Sequence, residues 1–437
     1  MGISNIVFIL LFALANVLFI WQARKIIRNI KMGKSENRSD NPGKRWKTMA
    51  RVALGQGKMV TRPVAGILHI LVYVGFVIIN IEVVEIIIDG IFGTHRILSF
   101  MGGFYNFLIA SFEILAILVL VSCVLFFIRR NVVKVKRFHY KEMLAWPKND
   151  ANLILVFEIL LMSAFLLMDG ADALLQSRGV EGYHHAGMFP VSSALTHGFL
   201  GGLDSASLIL LERSMWWFHI IGIFGFMNYL PISKHLHIIL AFPNTYFSNL
   251  EPKGRFTNME SVTNEVKLMM DPSADPFAAP APAEGEIPSF GAKDVQELSW
   301  KNLLDAYTCT ECGRCSSSCP ATQTGKMLSP RKIMMDTRDR LEEVGKNLDK
   351  GITDSKKLLG DYITEEEIWA CTSCNACTDA CPVNIDPLNI IVELRRNLVM
   401  EDSKAPMELT TMFNNMENNG APWAFSPADR FNWIQED

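Results

Sequence analysis

Long apolar runs alternate with shorter polar segments over the first 245 residues of this 437-residue chain. Each run reaches the length of about 20 residues that a helix needs to cross a bilayer. The first run has no basic segment before it and no small-residue cleavage site after it, so we interpret it as a retained helix and not as a signal peptide. The pattern predicts five transmembrane helices near residues 3–23, 62–88, 105–128, 151–171 and 212–232.

Positive charge is concentrated in two of the segments between the apolar runs. Residues 24–62 carry twelve Lys and Arg and residues 129–148 carry seven, whereas the other two segments carry Arg96 and Arg178 alone. Basic loops stay on the cytoplasmic side of a membrane. The asymmetry therefore predicts that the N-terminus lies outside and that the chain after about residue 233 lies in the cytosol.

Two cysteine motifs in the second half share the spacing C-x-x-C-x-x-C-x-x-x-C-P. On the bacterial ferredoxin pattern, three cysteines of each motif hold one [4Fe-4S] cluster and the fourth serves the other cluster. Zinc sites fit this spacing poorly, and disulfides need an oxidising compartment. The ninth cysteine, Cys123, lies in an apolar run and is expected to be inert core. The predicted ligand sets are Cys309, Cys312, Cys315 and Cys381 for one cluster, and Cys371, Cys374, Cys377 and Cys319 for the other.

The composition after residue 245 indicates how the chain is divided. Prolines and alanines in residues 270–291 are typical of an extended tether. Because a tether alone would let the clusters wander, we expect the segments on either side to dock the cluster domain. The formal net charge of −3 gives no argument for nucleic acid. We divide the chain into a transmembrane domain (1–245), a linker (246–294), a two-cluster domain (295–400) and a tail expected to dock a partner (401–437).

Histidines are the informative residues of the transmembrane half. If the fifth helix continues to His237, that residue shares a face with His219 and lies about 27 Å from it, one in each leaflet. His235 is about 160° off that face and is the weaker candidate. His69 has the depth to pair with His237, and two facing imidazoles hold haem b in a helix bundle. The alternative is that these are ordinary core histidines.

The sequence does not decide whether there is a second haem site in the outer leaflet. The partner of His219 would come from His95, His184, His185 or His197, and the sequence does not choose among them. Acidic residues in the outer part of the bundle either carry quinone protons or serve as interfacial and interhelical hydrogen-bond partners. These acidic residues are Glu82, Glu85, Glu113 and Asp169.

Local signals predict that the cluster domain is helical as well. Ser329 and Pro330 form a helix start, Thr364 and Glu367 form a capping box, and residues 387–400 form a further helix. The predicted fold class is therefore mostly α, with a five-helix transmembrane cytochrome b bundle and a helical ferredoxin-like domain that binds two [4Fe-4S] clusters.

The histidine segments resemble the cytochrome b subunit of respiratory nitrate reductase, a five-helix family with two haems. The resemblance rests on residues 68–70, His219 and residues 236–238, while Ile79 stands where that family has a further histidine. The cysteine region is similar to the two-cluster iron–sulfur subunit of heterodisulfide reductase. The fused order, with residues 229–237 and 304–315, resembles membrane iron–sulfur oxidoreductases of the electron-transfer-flavoprotein:menaquinone oxidoreductase type.

The resemblance implies a quinone-linked respiratory electron-transfer subunit in a bacterial inner membrane. Electrons pass from a cytosolic donor, an electron-transfer flavoprotein, through two [4Fe-4S] clusters and haem b to menaquinone. Single-chain members continue from a segment like residues 418–433 into a domain of CCG repeats, so that domain is expected on a partner iron–sulfur subunit. The alternatives are a quinol-oxidising subunit that feeds a disulfide reductase, and a non-catalytic membrane anchor.

Overall fold

The computed structural model describes residues 2–271, 273 and 290–434. It is mostly helical, as predicted. Among the described residues, five helices are long and apolar enough to cross a membrane, and each overlaps a predicted apolar run. These five helices are α1 (Ile3–Ile30), α3 (Pro63–Phe92), α4 (Gly103–Asn131), α5 (Trp146–Ser177) and α7 (Ser205–Tyr229).

Shorter helices join and extend these five. On the transmembrane side they are α2 (Pro42–Met49), α6 (Pro190–Leu200), α8 (His237–Tyr246) and α9 (Glu260–Met270). In the C-terminal half they are α10 (Trp300–Thr308), α11 (Arg314–Ser318), α12 (Pro320–Gln323), α13 (Pro330–Lys350), α14 (Glu365–Trp369), α15 (Ala376–Ala380), α16 (Pro387–Met400) and α17 (Met407–Asn419).

The bundle is built around α4, α5 and α7, while α1 lies at its edge. Helix α5 packs on α7 and α4, and α3 packs on α4. Small residues allow close approach: a Cβ on Gly75 would meet Val119 at 2.4 Å, and one on Gly222 would meet Leu161 at 2.6 Å. Helix α1 contacts α3 and α7 and buries Phe8 and little else along its length. Most of its apolar side chains therefore face outward, as lipid contact requires.

The expectation that His219 and His237 share one continuous helix is wrong. Helix α7 ends at Tyr229, and two short 3₁₀ turns separate it from α8, which begins at His237. Pro231 lies in the first turn and has no N–H to donate, and Ser233 is extended (φ −117°, ψ 151°). The chain therefore changes direction before His237, so neither the shared helix face nor the axial separation of about 27 Å applies.

The cluster domain has its own apolar core, formed chiefly by α10, α13 and α16. The predicted helix starts are confirmed. The Ser329 side chain accepts a hydrogen bond from the Lys332 N–H at the start of α13, and Thr364 and Glu367 form the capping box of α14. The predicted helix at 387–400 is α16.

This domain packs directly on the ends of the transmembrane helices. The Asn29 side chain at the end of α1 donates to the Tyr307 hydroxyl at 3.0 Å. Lys34 exchanges backbone hydrogen bonds with Leu298 and Trp300, at 2.8 and 3.1 Å. The Asn244 amide of α8 donates to the Val383 carbonyl at 2.9 Å. Segments before and after the predicted linker thus hold the domain in place.

Much of the predicted tether lies outside the described residues. Positions 272 and 274–289, which contain its prolines, are among them. Within the described part of the 246–294 segment, α9 is a helix with no buried residue.

Substitution of Gly33 tests this docking. A Cβ at Gly33 would meet the Trp300 nitrogen at 2.7 Å and the Leu298 oxygen at 2.8 Å, and both are backbone atoms. Overpacking of this kind costs about 1–3 kcal/mol, so Gly33→Ala is expected to lower the thermal midpoint of the purified protein. Gly43→Ala is the control, because nothing lies within 4 Å of that position. Equal midpoints for the two variants would contradict the docking geometry.

Candidate redox centres

The two cysteine motifs adopt the same local backbone although their intervening residues differ. In each motif the residues directly before and after the second cysteine are left-handed: Glu311 (φ 54°) and Gly313 (φ 69°), then Ser373 (φ 55°) and Asn375 (φ 61°). Left-handed backbone is unfavourable for a non-glycine residue. Its occurrence at matching positions indicates that the loop shape is dictated by where the sulfurs must point.

A short helix follows each loop and places the third and fourth cysteines. Helices α11 and α15 contain Cys315 and Cys377, end just before Cys319 and Cys381, and pack on each other. Because a proline follows each fourth cysteine, the chain turns away after it. The two motifs therefore face each other across a pair of helices.

This arrangement brings the fourth cysteine of each motif to the other motif. The Cys381 thiol interacts electrostatically with Cys312 and Cys315. The Cys319 thiol interacts in the same way with Cys371. All these cysteines are free. The grouping is the one expected if the two clusters exchange their fourth ligands.

Burial disfavours the thiolate form of these cysteines, so a bound cation must stabilise it. It raises the pKa of Cys309, Cys377 and Cys381 to about 12, whereas a metal ligand must be a thiolate. Iron supplies the positive charge that stabilises buried thiolates. Backbone N–H groups also point at sulfur, from Ile385 to Cys381 at 3.3 Å and from Ser373 to Cys371 at 3.4 Å. The residues therefore fit iron–sulfur clusters.

The first motif faces the transmembrane half. The Arg314 guanidinium, between two of its cysteines, donates to the Lys58 carbonyl at 2.9 Å. Glu311 forms an ion pair with Lys234, in the chain between α7 and α8, and a second with Arg338 at 2.9 Å. By contrast, Cys374 of the second motif is exposed. The two cluster sites therefore differ in their surroundings: one contacts the bundle and the other reaches the surface.

The His69 and His237 rings lie together, as their depths predict. Their centres are 6.4 Å apart and their planes are inclined by 42°. Two imidazoles that bind one metal through bonds of about 2 Å have ring centres roughly 6 Å apart. His237 Nδ1 bonds the Lys234 carbonyl at 3.1 Å, a typical orienting contact for a ligating histidine. His69 Nδ1 is buried and makes no hydrogen bond with any residue that the structure describes. The pair therefore fits haem iron.

His235 belongs to the same cluster of rings, which helix periodicity did not predict. Its ring lies 5.4 Å from that of His237 and 5.3 Å from that of Phe226. Burial, with the neighbouring His237 and His69, lowers the pKa of His235 to about 3, and burial also lowers that of His237. Both imidazoles are therefore neutral at pH 7, the form that can bind a metal.

His219 occupies a different environment. It is buried, its Nδ1 bonds the Leu161 carbonyl at 3.0 Å, and its ring lies 5.9 Å from that of Phe165. Ile79 and Ile220 belong to the apolar core beside it. The rings of His95 and His184 lie 5.6 Å from each other, and no described contact joins either of them to His219. The structure thus supplies no histidine partner for an outer haem among the residues it describes.

The acidic residues predicted for the outer half lie at the end of the bundle away from the cluster domain and point inward. Glu82 and Asp169 approach Arg96, the Tyr105 hydroxyl donates to Glu85 at 2.9 Å, and the Val191 N–H donates to Glu113 at 2.8 Å. All four carboxyl groups are buried. They are interior residues with defined partners, not side chains that extend to the interface.

The exchange of fourth ligands can be tested with Cys381→Ser. Loss of a ligand to the first cluster is expected to remove roughly half of the bound iron, measured per protein together with the electron paramagnetic resonance of the reduced sample. Cys123→Ser is the control, since Cys123 lies in the apolar core. Full iron content and two unchanged cluster signals in Cys381→Ser would overturn this assignment.

Comparison with known proteins agrees with this geometry. A 4Fe-4S dicluster domain matches residues 305–385, which include all eight motif cysteines. The probable iron–sulfur-binding oxidoreductase FadF of Bacillus subtilis is 28% identical over 99% of this chain and 61% of its own length. The EtfAB:quinone oxidoreductase of Syntrophomonas wolfei is 27% identical over 92% of this chain and 55% of its own length. No solved structure matches.

The cluster domain alone has further relatives. A ferredoxin/F(420)H(2)-dependent CoB-CoM heterodisulfide reductase subunit of Methanosarcina acetivorans is 35% identical over 26% of this chain and 60% of its own length. The chain spans between 55% and 61% of the two full-length relatives named above. It is thus a relative of the iron–sulfur oxidoreductases FadF and EtfAB:quinone oxidoreductase, with a 4Fe-4S dicluster domain in its C-terminal half.

Proposed function

We propose that this chain is the membrane subunit of a quinone-linked oxidoreductase. In this proposal it carries electrons from a cytosolic donor, through two [4Fe-4S] clusters and a haem b, to menaquinone. One observation carries the proposal: Lys234 joins the first cysteine motif to the histidine pair. Its side chain pairs with Glu311, and its carbonyl accepts the hydrogen bond from His237.

The surroundings of the motifs suggest the order of the centres. The exposed Cys374 suits a site where a soluble donor delivers electrons, and the buried contacts of Glu311 and Arg314 suit delivery to the bundle. Clusters and haem, when bound, supply one-electron transfer. The residues of the chain hold these groups at fixed positions: His69 and His237 would ligate the haem iron, and the two motifs would ligate the clusters.

The same contacts support a proposal for the membrane orientation. The cluster domain packs on the two basic segments and on the chain after α7, through Lys34, Lys58, Glu142 and Lys234. These are the segments that the positive-inside rule assigns to the cytosol. We therefore propose a bacterial cytoplasmic membrane protein with its N-terminus outside and its clusters in the cytosol.

The tail is proposed to dock a partner chain. Helix α17 has no buried residue, and Met407, Phe413 and Met416 are exposed along it. Following the resemblance to single-chain members with CCG repeats, the proposed partner is a CCG-domain iron–sulfur protein that receives electrons from an electron-transfer flavoprotein.

Electron flow in the opposite direction is the second candidate. The similarity of the cluster domain to a heterodisulfide reductase subunit favours it, with a quinol as donor and a disulfide as acceptor. Haem reduction by a reduced electron-transfer flavoprotein, compared with reduction by a menaquinol analogue, separates the two directions. Stoichiometric haem in the purified protein would exclude the remaining alternative, a non-catalytic membrane anchor.

Replacement of His237 tests the haem site. His237→Ala is expected to abolish the haem held with His69, measured as pyridine haemochrome per protein. The content should fall to near zero if there is one haem, and by half if His219 holds another. His185→Ala, at an exposed position in the outer loop, should retain all haem. Unchanged haem content in His237→Ala would refute the assignment.

Replacement of Lys234 tests the connection between the centres. The Lys234 and Glu311 side chains are 8% and 3% exposed, and breaking such a buried pair costs about 3–5 kcal/mol. Lys234→Met is therefore expected to lower the thermal midpoint and to slow haem reduction by reduced clusters. Lys253→Met breaks a pair with Asp379 in which the lysine is 71% exposed. It should change neither quantity, and equal effects of the two variants would contradict the proposal.

A further inference from the structure

A polar cavity lies at the end of the bundle opposite the cluster domain. Its volume is about 260 Å³, and residues of α1, α3, α5 and α7 line it, together with the loop that follows α3. Phe8, Met168 and Trp216 form apolar parts of the wall, whereas Glu82 and Arg96 form polar parts. None of the residues proposed to bind clusters or haem lines it.

Arg96 organises the charges at this cavity. Its guanidinium contacts three carboxylates, those of Glu82 at 3.2 Å, Asp169 at 2.6 Å and Asp172 at 2.8 Å. Arg96 itself is 7% exposed, and the three acids are between 0% and 2% exposed. One positive charge therefore faces three acidic side chains in a region shielded from bulk water.

Neighbouring groups do not neutralise the excess of acidic side chains around Arg96. On α3 and α4, Glu85 accepts bonds from the Leu98 N–H and the Tyr105 hydroxyl, and Glu113 accepts from backbone N–H groups. On α7, Arg213 pairs with Glu212. The groups that bond Glu85 and Glu113 are neutral, and the charge of Arg213 is already paired with that of Glu212.

The residues of the loop around the cavity likewise bring no further positive charge to Glu82 and Asp169. Asp89 accepts bonds from the Arg96 and Ile97 N–H groups, and Tyr183 donates to Glu212. His95 approaches Asp172 at 3.6 Å, and its ring also lies 5.6 Å from that of His184. The only full positive charge directed at Glu82 and Asp169 among the described contacts is that of Arg96.

Two carboxyl oxygens are left without partners. Glu82 Oε2 and Asp169 Oδ2 are both buried and make no described hydrogen bond. An unpaired buried carboxylate is costly, and it is relieved when the group binds a proton. Glu82 lines the cavity and shares the Arg96 guanidinium with Asp169, so the pair lies beside a polar space that can hold water.

We propose that Glu82 and Asp169 form a proton-binding site that exchanges with water through this cavity. At least one of the two carboxyl groups carries a proton at pH 7, and Arg96 holds both in place. The site requires neither the clusters nor the histidine pair. Its ligand is a proton delivered by water.

Infrared spectroscopy of the oxidised protein in a detergent without ester groups tests the site. The wild type at pH 7 is expected to show the C=O stretch of a protonated carboxyl group, which shifts in D₂O because the proton exchanges. Glu82→Gln and Asp169→Asn should each reduce this band. Glu181→Gln, at an exposed position in the outer loop, should leave it unchanged.

The outcome does not depend on the proposed electron transfer, because neither donor nor quinone is added. Absence of a D₂O-sensitive carboxyl band in the wild type would overturn the proposal even if no variant could be purified. An unchanged band in both folded variants would also overturn it. A band that is reduced in the variants but insensitive to D₂O would refute exchange through the cavity.

Discussion

The buried contact of Lys234 with Glu311 joins the two halves of the molecule. Glu311 adopts a left-handed backbone because it lies inside a cysteine loop, and Lys234 lies in the break between α7 and α8. Both charges are buried and have further partners, Arg338 for Glu311 and Asp150 for Lys234, because a buried charge is costly unless it is paired. The shape of the first cysteine loop and the course of the chain near His237 are therefore linked through one buried group of charges.

That link gives the two similar motifs different surroundings. Their loops share left-handed positions and their short helices pack on each other, yet one loop is covered by the bundle and the other reaches the surface. An internal repeat on its own would make the two sites equivalent. Contact with the ends of the transmembrane helices makes the two sites different, because one faces the bundle and the other faces the surface.

Much of this could be predicted from local patterns. Apolar run length fixes the five helices, and cysteine spacing indicates which thiols meet, because both depend on neighbours along the chain. The position of His235 could not be predicted in this way, since periodicity assumes a continuous helix and the chain bends around Pro231. The setting of Arg96 also escaped prediction. Its carboxylate partners come from α3 and α5, far apart in sequence, and only the packing of the helices brings them together.

Helix α1 reaches from one end of the molecule to the other. Its 28 residues rise about 42 Å. Near its start, Phe8 forms part of the cavity wall, and at its end Asn29 holds Tyr307 of the cluster domain. Because an α-helix is stiff along its axis, this single element sets the distance between the cavity wall and the docking contact with Tyr307.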